Sequence, residues 1–301
     1  MHDGNLGTEV GEMREYRPHK FPEDNVLISV ITTVLNGVQY VEQTIQSVIS
    51  QTYGNLEYII IDGGSTDGTV DIIRKYEPRL AYWHSKPDRG IAHAFNLGLA
   101  QAHGDWILFL NADDLFLGPE VVELMVPHLI ANQEADVVFG ETIFLTCRKD
   151  PQPAALRQIW GRPWRWQEFR WLCTIPHPSS FTHRRYFEKV GGFNQGFRLA
   201  MDYELYLRGG KALEARQVPV AVSGMREGGK SAKNILRAAR ESRKAQQMTK
   251  THPSWVAWIN FFWYLGRYYL GRASHRLLDS KALHIDWPGR NSGNPLWRRT
   301  T

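Results

Sequence analysis

Cysteine is nearly absent: Cys147 and Cys173 are the two in 301 residues. They give no metal-ligand spacing and no disulfide framework, which points to a reducing, cytoplasmic setting. The N-terminus has no basic segment followed by an apolar one, so no secretory signal is expected. No apolar run reaches the ~20 residues that cross a bilayer, and neither an internal repeat nor a low-complexity segment is present. Acidic residues are sparse toward the C-terminus: residues 205–301 hold 18 Lys and Arg against 5 Asp and Glu, whereas residues 1–204 hold 18 against 26. An acidic front is a poor partner for nucleic acid, and a basic rear beside aromatic residues suits an anionic surface such as a bilayer. The alternative is that Lys233, Arg237, Arg240, Arg243 and Lys244 form the solvated face of a helix. What is present is ample apolar material. At 43% hydrophobic and 22% charged, the chain can bury one large core or two small ones.

Residues 1–25 are polar, Gly- and Pro-bearing and without periodicity, and are expected to form a loose leader. From Val26 onward, apolar strand patterns alternate with helical ones. Val26–Val34 reads as a strand, and Val41, Ile45, Val48 and Ile49 place a helix over Val38–Ile49. Leu56–Ile61 is a second strand, followed by a helix carrying Val70, Ile72, Ile73 and Tyr76. A third strand covers Leu80–His84, a helix Ile91–Ala102, a fourth strand Trp106–Leu110, a helix Glu120–Ile130 and a strand Val137–Phe139. Strands separated by helices predict an α/β fold with a parallel sheet, whose ligands sit at the carboxyl ends of the strands. Asp, Asn, Gly and Ser residues gather at those ends in this sequence.

Three strand-end motifs carry the chemistry. Trp106–Leu110 is an apolar strand that runs into Asn111-Ala112-Asp113-Asp114. Two adjacent carboxylates repel unless a cation or hydrogen-bond donors compensate, and a hard divalent ion such as Mn2+ or Mg2+, shared with substrate phosphates, would do so. Otherwise Asp113 or Asp114 caps a helix or makes an Asx turn. Asp62-Gly63-Gly64-Ser65-Thr66-Asp67-Gly68-Thr69 follows the second strand. Its Asp62 could accept hydrogen bonds from a base or ribose, and the bland reading is a capped turn. Asp88-Arg89-Gly90 precedes a helix carrying His93, Asn96 and Gly98; a helix start beside an Arg can bind a diphosphate, unless Asp88 and Arg89 are a mere surface pair.

Together with Ser29-Val30-Ile31-Thr32-Thr33 and Asn36-Gly37, and with Pro87 ahead of Asp88, these segments resemble the inverting family 2 glycosyltransferases, in order and spacing as well as residue type. The resemblance covers about residues 26–231 and is closest to non-processive bacterial enzymes that build exopolysaccharide of the colanic-acid type, capsule or O-antigen. It implies a GT-A fold, with a nucleotide-sugar half over residues 26–142 and an acceptor half over 143–231; beyond it, the residue pattern predicts a basic helical and aromatic extension over 232–301. The resemblance also implies that Thr33 and Asp62 contact the nucleoside, that Asp88, Arg89 and Asn96 line the donor pocket, and that Asp113, with Asp114 beside it, binds the metal. Two departures stand out. Asn111 replaces the first Asp of the family's Asp-x-Asp, and Gly63 stands where many members have a second Asp.

Further on, Ile175-Pro176-His177-Pro178-Ser179-Ser180-Phe181, Val190-Gly191-Gly192-Phe193-Asn194 and Leu199-Ala200-Met201-Asp202-Tyr203-Glu204-Leu205 also look like family sequence. The resemblance makes Asp202 the catalytic base, with Glu204 the rival. A base is required because a sugar hydroxyl is a weak nucleophile. Arg226-Glu227-Gly228-Gly229-Lys230-Ser231 resembles a family Gly-Gly-x-Ser segment, so Lys230 and Ser231 either close over the diphosphate or merely turn the chain. Trp164, Trp166 and Trp171 either stack on acceptor sugars or fill core. The aromatic run Trp255–Leu265, with Arg267, Arg272 and Arg276 behind it, suits an interfacial helix on the inner face of a membrane or a protein-contact helix. The Gln-x-x-Arg-Trp motif and membrane spans of processive relatives are missing, which implies one sugar added to a glycan or lipid-linked acceptor. A sugar nucleotidyltransferase and a non-catalytic glycan- or nucleotide-sugar-binding protein are the competing classes.

Overall fold

A computed structural model describes residues 26–145, 156–226 and 234–277. Strand β1 (Ile28–Val34) is buried along its whole length because both faces of the sheet are covered, which is why it reads as an unbroken apolar run. It pairs in parallel with β2 (Leu56–Asp62) on one side and β4 (Trp106–Phe109) on the other, and β2 pairs in parallel with β3 (Tyr82–Ser85). Parallel neighbours need crossover connections. Helices α1 (Val41–Ile49), α2 (Thr69–Tyr76) and α3 (Ile91–Gln101) lie along these crossovers.

Helix α1 starts three residues later than the periodicity of Val38–Ile49 predicts. Asn36 takes a left-handed φ of 53°, and a Cβ at Gly37 would stand 2.6 Å from Val34 Cγ2, so the chain must turn tightly before it can coil. A short strand that the sequence did not signal, β5 (Asp114–Phe116), follows the Asn-Ala-Asp-Asp turn. Helix α4 (Val121–Ala131) leads to β6 (Val137–Leu145), and beyond it lie β7 (Leu156–Trp160), α5 (Trp166–Phe169), β8 (Ser180–His183), α6 (Arg184–Val190), α7 (Met201–Gly209) and β9 (Ala215–Arg226). Two helices end the described chain, α8 (Ile235–Met248) and α9 (Ser254–Leu277).

All of the described strands join one mixed sheet in the order β3-β2-β1-β4-β8-β6-β9-β5, with β7 paired to β6. Strand β8 runs antiparallel to both β4 and β6, so the regular parallel alternation ends there. Strand β6 crosses residue 143, and both halves share the sheet.

Each sheet face carries its own core. Val30, Ile60 and Leu108 pack with α1, α2 and α4 through Ile45, Ile73 and Met125. On the opposite face Ile31, Ile59, Phe109 and Phe139 pack with α3, α6 and α7 through Phe95, Tyr186 and Leu205. Helix α3 comes close because it has no side chain at Gly98, where a Cβ would meet Ile31 Cγ2 at 2.4 Å.

The basic helix α8 joins this second core through Ala245. Its Gln246 Nε2 donates to the Arg170 carbonyl at 3.1 Å and to the Tyr203 hydroxyl at 3.0 Å, and Asn260 of α9 donates to the Trp171 carbonyl at 2.8 Å. The tryptophans have packing partners: Trp164 and Trp166 flank Phe169, and Trp171 lies 4.3 Å, centroid to centroid, from His252. Among the described residues no helix is long and apolar enough to cross a membrane. Cys173 is a free thiol; Cys147 and the leader lie outside the described residues, as do the side chains of Arg267, Arg272 and Arg276.

Candidate active site

The carboxyl ends of β1 and β2 are laced together by short polar side chains. Asp62 is fully buried and spends its carboxylate on its own loop: Oδ2 accepts from the Gly64 N–H at 3.0 Å, the Ser65 N–H at 2.8 Å and the Ser85 hydroxyl at 2.6 Å, and Oδ1 accepts from the Ser65 hydroxyl at 2.5 Å. Asn36 then bridges to that loop, its N–H donating to Ser65 Oγ at 2.7 Å and its Oδ1 accepting from the Thr66 N–H at 3.0 Å. Asp67 Oδ2 accepts the Val38 N–H at 3.1 Å. Thr33 is buried one residue before the end of β1. The result is a stiff ledge between two strand ends, of the kind that holds a flat ring without rearranging.

Gly63 lies within this ledge, facing Asp88. A Cβ at position 63 would stand 2.7 Å from Asp88 Oδ2, so a larger acidic residue there would collide with Asp88 in both space and charge. Asp88 Oδ1 accepts the Gly90 N–H at 2.5 Å and shapes the turn into α3.

The Asn-Ala-Asp-Asp turn is fastened from three sides. Thr44 of α1 donates its hydroxyl toward the Ala112 carbonyl at 2.9 Å and the Asp114 carbonyl at 2.6 Å. Arg226, at the end of β9, donates to the Asp113 carbonyl at 2.5 Å and also to Gln43 Oε1, with its guanidinium 4.5 Å above the Tyr40 ring. Asn111 Nδ2 donates to Asp114 Oδ2 at 3.0 Å.

The two acids of this turn therefore differ. Asp114 is buried, and burial, reinforced by the charge of Asp113, pushes its carboxyl up to about 8. Asp113 is half-exposed, and its carboxylate has no partner among the described residues. Beside it, Asn111 Oδ1 is buried and likewise makes no hydrogen bond. A buried polar oxygen without a donor is uncommon and calls for an explanation.

Asp202 stands in the first turn of α7, beneath a loop that contacts the Asp88–Gly90 turn. Arg198 Nη1 donates to the Arg89 carbonyl at 2.5 Å and packs over Gly90, whose φ is +113° and where a Cβ would overlap the guanidinium. Asn96 ties the same two regions: its Nδ2 donates to the Phe193 carbonyl at 2.8 Å, and its Oδ1 accepts the Phe193 N–H at 2.7 Å. Both ends of that amide are occupied.

The N-terminus of α7 is gathered by Glu241 of α8. Its Oε2 accepts the N–H groups of Arg198, Leu199 and Ala200 at 2.9, 2.7 and 3.1 Å, and its Oε1 pairs with Arg237 at 2.9 Å. Burial would raise the Glu241 carboxyl, but the three N–H donors and Arg237 outweigh it and hold the group below its ordinary value. Asp202 follows two residues after Ala200.

Next to Asp202 is His177, whose ring packs between Phe95 and Phe109 at 5.3 and 5.8 Å, with both nitrogens buried and unpartnered. Burial pushes its imidazole below the usual value, against the opposing pull of Asp202. Phe109 ends β4, two residues before Asn111, so this aromatic stack ties His177 to the strand that leads into the Asn-Ala-Asp-Asp turn.

The acids of the rim thus sort by commitment. Asp62, Asp67, Asp88 and Asp114 all accept internal hydrogen bonds, and Glu204 is buried against Arg208 at 3.3 Å, with burial raising its carboxyl. Asp113 and Asp202 alone among these have no internal partner in the described residues. Arg89 makes no side-chain hydrogen bond among the described residues; its backbone N–H donates to His93 Nδ1 at 3.2 Å. Lys230 and Ser231 lie outside the described residues. Arg198 and Glu241 escaped the sequence reading, and Arg226 entered it only as the start of the Gly-Gly segment, because each acts on a backbone segment 41 or more positions away.

Residues 29–191 match the family described as Glycosyl transferase family 2. A curated relative, an uncharacterized glycosyltransferase of Mycobacterium tuberculosis, is 35% identical over 187 residues, 60% of this chain and 68% of the relative. Among solved structures, S. aureus TarS 1-349 in complex with UDP-GlcNAc is similar at a TM-score of 0.58 and 16% identity, over 85% of this chain and 76% of that one. The mannosyltransferase PcManGT of Pyrobaculum calidifontis, in complex with GDP-Man and Mn2+, is similar at a TM-score of 0.58 and 19% identity, over 89% and 80%.

Proposed function

Because the chain belongs to glycosyl transferase family 2 and has a GT-A-like fold, we propose that it is an inverting enzyme. It moves one sugar from a nucleotide-diphosphate sugar to a hydroxyl of a glycan or lipid-linked glycan acceptor, in the building of a bacterial surface polysaccharide. What supports this reading is that Asp113 and Asp202 keep uncommitted carboxylates among the described residues, whereas Asp62, Asp88, Asp114 and Glu204 are spent internally.

Asp202 is the general base. Its neighbour His177 stays neutral in an aromatic surround, so it does not neutralise the carboxylate, and the loop held by Glu241 keeps Asp202 at the rim. Taking the acceptor proton as the oxygen attacks the anomeric carbon from the face opposite the diphosphate inverts the configuration. Glu204 is the weaker candidate because Arg208 occupies it. The ledge formed by Thr33, Asn36 and the Asp62–Thr69 loop receives the nucleoside, and Asp62 acts there by fixing the loop. Asp88 and Arg89 flank the donor, while Asn96 fixes the acceptor-side loop. Lys230 and Ser231 are proposed to close on the diphosphate.

A divalent cation, Mn2+ or Mg2+, fits the donor set at one place. Asn111 Oδ1 is a buried oxygen without a donor and Asp113 is a free carboxylate next to it, and hard cations take amide and carboxylate oxygens together with substrate phosphates. Among the described residues no group of three or more His, Cys, Asp or Glu could hold a metal, so the phosphates and water would complete the shell. When bound, the ion offsets charge on the departing diphosphate. Asp114 supports the turn from beneath, through Asn111.

We further assign the chain to the inner face of a membrane, where a lipid-linked acceptor would be presented; the exposed aromatic face of α9 supports this. Transfer from a panel of nucleotide sugars, with wild type and Asp202→Asn, tests the enzymatic reading. Loss of transfer with retained nucleoside diphosphate binding is expected, and undiminished transfer removes Asp202 as the base.

A further inference from the structure

Helices α8 and α9 flank an open cavity of about 550 Å3 lined by Arg237, Arg240, Arg243, Lys244, Trp258 and Phe261 among others. Four cations face one carboxylate, that of Glu241, and its oxygens are already taken by Arg237 and the Arg198–Ala200 backbone. The cations are only partly satisfied. Arg243 lies 3.8 Å over the Trp258 ring and its Nε is buried without a hydrogen-bond partner. Lys244 reaches the Gly196 carbonyl at 3.3 Å, and Arg240 is exposed with no partner among the described residues. A cavity of this charge has room for a phosphate.

The flank of the cavity is apolar. Trp255, Trp258, Ile259 and Phe262 recur three or four residues apart on α9, which puts them on one stripe, and Trp263 borders it. These side chains are 45% to 67% exposed. Trp258 belongs to both surfaces, cavity wall and ridge. Such a stripe beside cations matches an interfacial helix, whose rings enter the acyl boundary while its cations meet phosphates. A second copy of this chain fits less well. A two-fold contact would press the same face, with the same four cations, against itself.

Building on the membrane-facing acceptor, we propose that the α8–α9 cavity is a headgroup site for an anionic glycerophospholipid. The phosphate sits among Arg240, Arg243 and Lys244, and the Trp255–Phe262 stripe lies in the acyl boundary. Because Glu241 on the same helix holds the loop ahead of Asp202, docking at this cavity also fixes the height of the base above the lipid surface.

The test is co-sedimentation of the full chain with phosphatidylcholine vesicles, with and without phosphatidylglycerol. Binding is expected to the anionic vesicles alone and to weaken with salt. Arg240→Gln combined with Lys244→Gln should lower it about 30-fold, from roughly fivefold per cation, and Trp255→Ser with Phe262→Ser should lower it at every salt concentration. Neither pair should alter nucleoside diphosphate affinity or donor hydrolysis in vesicle-free buffer. Equal binding to both vesicle types, no binding, or a dimer in sedimentation velocity that the apolar pair converts to monomer would each overturn the headgroup site. If vesicles fail to bind while sugar transfer persists, the docking site falls and the transferase reading stands. Selective vesicle binding without turnover of any donor leaves the docking site standing and removes the transferase reading.

Discussion

Replacing Glu241 examines whether a residue of the basic helix positions Asp202, the proposed base, without touching substrate. Its single Oε2 receives three backbone N–H groups just ahead of α7. Hydrogen bonds to charged groups contribute ~1.5–3 kcal/mol each. Three that share one oxygen, with water able to enter behind an Ala, should sum to about 3 kcal/mol, well short of the full total. At ~2–4 °C per kcal/mol for a domain of this size, Glu241→Ala should lose about 6–12 °C in Tm. Freed from its anchor, the start of α7 relaxes, and a base displaced by about 1 Å costs on the order of 100-fold in rate. Glu241→Gln keeps the shape and one acceptor oxygen but loses the charge that about doubles each bond, so a roughly tenfold lower kcat and half the thermal loss are expected.

The assay is steady-state transfer at a temperature at least about 15 °C below the lowest Tm, a margin that exceeds the shift expected above, with kcat and donor KM measured separately. The donor KM should stay at the wild-type value because Glu241 contacts nothing on the nucleotide ledge. Wild-type kcat in both variants would refute the positioning role and leave Glu241 as a stabilising contact only. The pH behaviour gives a second check. The folded Glu241 carboxyl titrates below its ordinary range, so its stabilisation is full above the usual ~4.3 of a free Glu and fades as pH falls through the lower folded value. Glu241→Gln should lack that part of the acid transition.

Asp113→Ala should abolish transfer in Mn2+ or Mg2+, and wild-type activity of this variant in excess chelator would exclude Asp113 from metal binding. Asn111→Asp restores a second acid next to Asp113; metal affinity measured by calorimetry should rise if Asn111 Oδ1 is a ligand and stay flat if it is not. Gly90→Ala forces a side chain into the Arg198 guanidinium at a left-handed φ, so a loss of about 1–3 kcal/mol in urea unfolding and a kcat lowered at least about tenfold are expected. Gly63→Asp should weaken donor binding, read by calorimetry with nucleoside diphosphates, because the new side chain meets Asp88 in space and charge; wild-type affinity would show that the ledge yields there.

The parallel half of the fold was legible because each of its strands is local and buried on both faces, so apolar runs and helical spacing report it directly. Bounds shifted where backbone geometry intervened, as at Asn36 and Gly37 ahead of α1. Strand β5 went unseen because three residues paired only to β9, more than 100 positions later, carry no periodic signal of their own. The acids were found as a set, but their division into spent and free was not visible. Asp62 looks like a ligand in sequence and in the structure organises its own loop, because Gly64, Ser65 and Ser85 arrive from two strand ends at once. Arg198, Arg226 and Glu241 were silent in these roles for the reason β5 was: each acts across a long stretch of chain, on backbone atoms that every residue possesses.

The reciprocal bonds between Asn96 and the Phe193 backbone have a mechanical meaning. A side-chain amide imitates one rung of a β-ladder, offering a donor and an acceptor to a single peptide position. Helix α3 and the loop leading to Asp202 are therefore riveted at a fixed spacing rather than hinged. The two segments also pack ring against ring, Phe95 lying 5.0 Å from Phe193 between centroids, so a displacement of one is passed to the other. Breaking the rivet with Asn96→Ala would loosen this joint and let the loop ahead of Asp202 drift relative to α3.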